Sequence, residues 1–118
     1  MSDTVLNEAQ RLEQLIREST EFADLKLKYD RVFQDRTARE IFEKFRDAQF
    51  RLQEKQMSGR EITPEEWGMA QRLADEVQHN PLILSLFEAE QKMSQLIRRV
   101  NEILWKPLDE LYSQPMAE

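Results

Sequence analysis

Cysteine is absent from the 118 residues. That excludes disulfides, thiol catalysis and any cysteine-held iron–sulfur cluster. Two glycines and four prolines are all that punctuate the chain, too few for the tight turns of a hairpin-built sheet. The one histidine is His79, and a single imidazole supports little acid–base chemistry. Ser2, Ser19, Ser58, Ser85, Ser94 and Ser113 have no context that would activate them, and no nucleophile elbow or phosphate-binding glycine loop is present. No apolar stretch approaches the ~20 residues a membrane span needs. Met1-Ser2-Asp3-Thr4 has neither the basic region nor the apolar core of a signal peptide, so a cytoplasmic protein is expected.

Charge, by contrast, is plentiful. Asp, Glu, Lys and Arg make up 34% of the chain, with a formal net charge of −6. This balance opposes tight non-specific binding of nucleic acid. Residues 1–34 are net −2, 35–60 net +2, 61–80 net −4 and 81–118 net −2. In the basic stretch the arginines and lysines alternate with Glu40, Glu43, Asp47 and Glu54, the pattern of a solvated helix face laced with ion pairs. RNA binding through Arg36, Arg39, Arg46 and Arg51 is the alternative reading. It requires those four to share one exposed face with few acids.

Apolar residues recur with helical period throughout, so the chain is expected to be all-α: one domain, 1–118, folded as an antiparallel bundle of about five helices with a long C-terminal helix. The spacing predicts helices over about 4–18, 21–34, 36–57, 64–79 and 81–106, then a short one over 107–113. Val5, Ala9, Leu12 and Ile16 form the first stripe, and Phe22, Leu25, Tyr29 and Val32 the second. Asp35 is suited to cap the third helix, which carries Ile41, Phe45, Ala48 and Leu52 and ends at Ser58-Gly59. Thr63-Pro64-Glu65-Glu66 reads as a capping box with proline at the first helical position. Trp67, Ala70, Leu73, Ala74 and Val77 are expected to be buried behind it. Asn80-Pro81 repeats the stop-and-start logic. The last helix carries the widest stripe: Leu86, Glu90, Met93, Ile97, Val100, Leu104 and Leu111, flanked by Leu96, Ile103, Phe87 and Trp105. A break or kink is expected at Pro107, which has no N–H and disfavours helical geometry at Lys106.

One metal-like constellation stands out, Glu76-x-x-His79 with Glu90 on the central seam. Carboxylate-bridged di-metal bundles use two such Glu-x-x-His pairs plus two further glutamates. With one histidine, only two copies of the chain can complete the set. The simpler reading places His79 at a helix C-terminus, where imidazole complements the dipole. No metal, cofactor or catalytic residue is therefore assigned.

Partners are a better fit to the pattern. The last helix is too long for a compact globule of this size, and Phe50 and Met57 sit on the back of the third helix, nearly opposite its apolar arc. A two-fold homodimer would cover the surplus. The expected interface residues are Phe50, Met57, Met93, Ile97, Val100 and Leu104.

Several ordered segments are also familiar. They are Leu52-Gln53-x-Lys55-Gln56-x-x-Gly59 with Ile62-Thr63, and Glu88-Ala89-Glu90-Gln91-x-Met93 continuing through Leu96-Ile97, Asn101, Ile103, Lys106-Pro107-Leu108 and Leu111-Tyr112. Phe22 through Tyr29 and Phe42-x-x-Phe45-Arg46-x-x-Gln49 extend the match over about residues 4–112. Together they resemble the YheA-like branch of the YlbF/YmcA family of small bacterial helical proteins. The resemblance implies a dimeric helical bundle in the cytoplasm of Firmicute-type bacteria, without catalytic residues. It further implies a regulatory role like that of better-understood relatives, which act on competence, biofilm formation and sporulation in a protein complex linked to the mRNA-processing endonuclease RNase Y. Cysteines in some relatives can hold an iron–sulfur cluster; this chain has none.

Overall fold

A computed structural model describes residues 2–113. Among them five helices follow in order: α1 (Ser2–Arg17), α2 (Thr20–Gln34), α3 (Arg36–Ser58), α4 (Pro64–Gln78) and α5 (Pro81–Ser113). No strand occurs among the described residues.

Every corner is set by a short polar side chain or a glycine. Ser19 Oγ accepts from the Phe22 N–H at 3.1 Å and opens α2. Asp35 serves two helices at once: its N–H donates to the Val32 carbonyl, and its carboxylate accepts from the Ala38 N–H at 2.9 Å. Gly59 takes φ 73°, the left-handed conformation that other residues adopt only at a cost, and so ends α3. Thr63 and Glu66 exchange hydrogen bonds at 3.1 Å in both directions, the capping box of α4. Asn80 Oδ1 accepts from the Leu82 and Ile83 N–H groups and starts α5.

The apolar stripes meet where α2 ends, α3 begins, α4 ends and α5 begins. Val32, Ala38, Phe42, Val77, Ile83 and Leu86 are buried together there, with Leu25, Phe33, Ile41, Phe45, Leu82 and Phe87 packed around them. Aromatic edges close the cluster: Phe42 meets Phe33 at 5.9 Å between centroids, and Phe87 meets Phe45 at the same distance. Because Val32 lies near the end of α2 and Ile83 near the start of α5, these two helices run antiparallel. They form the most extensive helix pair in the molecule, followed by α3 with α4.

That register has a consequence at the far end. Helix α2 starts at Thr20, and the half-buried positions of α5 stop at Val100. From Asn101 to Ser113 every residue of α5 is exposed. Helix α1 leaves the same end of the molecule, touches only α2, and contains no buried residue. The radius of gyration is 19.9 Å, against about 13.5 Å for a compact chain of this length.

Two expectations need correction. Pro107 does not break the helix: α5 runs without interruption from Pro81 to Ser113. Proline removes one backbone bond, but the carbonyl it frees lies in an exposed stretch where water accepts in its place. Continuing an established helix also avoids the unfavourable nucleation of a new one. Trp67, expected in the core, is half exposed. Only Leu73 and Val77 of α4 are fully buried, because α5 meets α4 near its C-terminal end and leaves the first turn covered by α3 alone.

Candidate interaction surfaces

The largest apolar surface lies on the uncovered end of α5. Leu104, Leu108 and Leu111 continue the stripe that buries Leu86 and Ala89, and Ile103, Trp105 and Tyr112 flank it. Leu104 keeps 61% of its accessible surface. Closer to the core the stripe is progressively covered, with Met93 and Val100 half-buried and Ile97 just exposed. Helix α1 supplies a second bare stripe: Leu12 and Ile16 are partly covered near the corner with α2, whereas Val5, Leu6 and Leu15 are open. Phe50 and Met57 form a third patch on α3, 66% and 83% exposed. The expected positions thus divide into an α5 group (Met93, Ile97, Val100, Leu104) and a separate α3 pair.

Neither α1 nor the α5 positions beyond Leu104 were expected at an interface. Length carries the missing signal. A 15-residue α2 spans about 22 Å and a 33-residue α5 about 50 Å, so the first cannot cover the second.

Total accessible surface quantifies the same point. The chain exposes 10096 Å², whereas a compact monomer of its mass exposes about 6,800 Å².

The charged constellations resolve differently. Arg36 pairs with Glu40 at 3.3 Å, and the Arg46 guanidinium lies 5.3 Å from the centre of the Phe42 ring. With about 3.6 residues per turn, Glu40, Glu43, Asp47 and Glu54 fall between Arg36, Arg39, Arg46 and Arg51. The face is mixed in sign, not a basic stripe. An open groove of about 480 Å³ between α3 and α4 has the same character, lined by Lys44, Asp47 and Arg51 of α3 and by Glu65 and Glu66 of α4.

Glu66 holds α3 to α4. Its carboxylate accepts from the Lys55 ammonium of α3 as well as from Thr63. The Lys55 hydrogen bond, then the Thr63 N–H and hydroxyl, bring its pKa from an ordinary 4.5 to about 2. Glu90, expected on the central seam, is exposed on α5; partial desolvation by its surroundings still raises its pKa, and no ion pair compensates among the described residues.

Glu76, His79 and Glu90 do not converge. Among the described residues no three acidic or histidine side chains are placed to hold a metal ion. His79 caps α4 instead, its ring Nδ1 lying 2.7 Å from the Asp75 carbonyl oxygen. Among the described residues no helix is long and apolar enough to cross a membrane.

Known proteins share this architecture. The profile for "Control of competence regulator ComK, YlbF/YmcA" matches residues 5–109. The UPF0342 protein YheA of Bacillus subtilis is 52% identical over 101 residues, 86% of each chain. Among solved structures, a Bacillus stearothermophilus protein of unknown function (DUF964) superimposes with a TM-score of 0.84 at 42% identity, over 96% of this chain and 99% of that one. A chain from the Bacillus subtilis RicA–RicF complex shares the fold at 19% identity, with a TM-score of 0.70 over 96% of this chain and 100% of that one. With five helices in the same arrangement and a profile match over nearly its whole length, the chain belongs to the YlbF/YmcA family.

Proposed function

We propose that this chain is a non-enzymatic, cytoplasmic interaction module: a homodimer that presents its remaining apolar patches to another protein in a regulatory assembly. One observation carries the reading, namely the continuous apolar surface on the α5 end that a single copy leaves in water. Monomeric soluble proteins rarely keep so large a contiguous patch bare. In this reading Met93, Ile97, Val100 and Leu104 belong to the self-association seam. Phe50 and Met57 stand apart from it and serve the second protein.

The family's link to competence control and the RicA–RicF complex of a distant structural neighbour support a regulatory, partner-binding role. A complex linked to RNase Y is the form that the family resemblance favours. The mixed charge on α3 disfavours direct RNA binding, and filter retention at low salt should stay at background.

The test is capture from the native host with wild-type protein and with a Phe50→Asp, Met57→Asp double variant. A protein retained by the wild type and lost from the variant, with the variant still dimeric, is the expected result. Identical captured sets would remove the α3 patch from the account.

A further inference from the structure

The bare stripe of α1 and the bare end of α5 lie at one end of the molecule, yet within a chain they do not touch. We propose that α1 of one copy lies along residues 101–113 of α5 of a second copy, and reciprocally about a two-fold axis. The inference rests on the homodimer reading and specifies how the two copies are joined.

Four features support this occupant. The lengths match: α1 has 16 residues, about 24 Å of helix, and the uncovered end of α5 has 13, about 20 Å. Both stripes keep the i, i+3, i+4 spacing that lets helices interdigitate, with Val5, Leu12 and Ile16 on one side and Leu104, Leu108 and Leu111 on the other. The area is also right. The large apolar side chains of the two stretches bare on the order of 1,000 Å² per chain. Two copies covering each other would therefore bury on the order of 2,000 Å², as a stable interface requires.

Charge supplies the fourth feature and a direction. Asp3 and Glu8 begin α1, and Arg11, Glu13 and Arg17 follow; along α5 Arg98, Arg99 and Lys106 come first, interrupted by Glu102, and Asp109 and Glu110 follow. Laid parallel, the acidic start of α1 lies beside the basic part of α5, and laid antiparallel it lies beside Asp109 and Glu110; Arg11 and Arg17 are already paired with Glu8 and Glu13 within α1. None of Arg98, Arg99 and Lys106 makes an ion pair among the described residues. In the parallel arrangement the two α5 ends run antiparallel to each other. Each α1 then closes a four-helix layer that neither copy can build alone.

The absence of cysteine makes the test clean. A spin label is placed at an Asn7→Cys variant, on the polar back of α1. Unlabelled-nitrogen copies carrying it are refolded together with nitrogen-15 wild-type copies, so that amide broadening reports only contacts between chains. Amides of residues 101–113 should lose intensity. In parallel, a Val5→Gln, Leu15→Gln variant should raise the dimer dissociation constant at least tenfold with helical content unchanged. Both side chains are open in the single chain, 69% and 64% exposed, so a role inside one copy would leave association untouched. A dimer whose broadening spares 101–113, or a variant that associates as tightly as wild type, overturns the inference and leaves the homodimer standing. A monomeric wild type overturns both.

Discussion

Glu66 and Glu90 are two carboxylates with opposite fates, and each makes a measurable statement. With its pKa lowered from 4.5 to about 2, Glu66 binds its proton more weakly in the folded than in the unfolded chain. Its contribution is therefore complete above pH 4.5 and disappears as the pH falls towards about 2. A Glu66→Gln variant should melt below wild type at neutral pH, with the gap closing through that window in circular-dichroism melts. Glu90 carries the reverse sign. Desolvation raises its pKa, so its ionised form opposes folding at neutral pH and the penalty lifts as the pH drops through the raised value. Glu90→Gln should raise Tm slightly at pH 7 and make no difference in acid; equal melts at pH 7 would mean that water solvates this exposed carboxylate fully. The capping residues Asp35, Thr63 and Asn80 were legible in the sequence because each acts on the two or three N–H groups next to it. Glu66's bond to Lys55 was not, since it depends on how α3 and α4 pack.

Helix boundaries are also local events: α1 to α4 and the start of α5 fall close to where period and caps place them, and only the end of α5, carried through Pro107 to Ser113, departs. What periodicity does not record is which neighbour covers a stripe. Trp67 keeps the spacing of its buried neighbours yet lies beyond the reach of α5. The stripe of α1 reads like that of any core helix, although α2 meets only its last turns. Pro107 shows a propensity rule overridden by context: the lost bond faces water, and the helix on both sides is already formed. Pro107→Ala should therefore restore one backbone bond and strengthen the α5 end by about 1–3 kcal/mol, seen as a stronger helical signal and later fraying of residues 101–113. A loss of helicity would show that the proline sets the shape of α5.

As one body, the chain measures 57 × 39 × 23 Å, and among the described residues eight apolar side chains are buried as its core. A core that small sits at one end of a long helix. The other end carries apolar stripes of its own with no partner inside the molecule. The proposed function follows from this imbalance, because surface that one copy cannot hide is surface available for association. Charge is mixed in sign on α3 and on α1, where Arg11 and Arg17 pair with Glu8 and Glu13.

Light scattering on the chromatographed protein at tens of micromolar decides whether a second copy completes the fold. The expected mass is about twice the 14.2 kDa of one chain. A single-chain mass that persists on concentration would mean the bare end of α5 is tolerated in water, and the self-association account would fail.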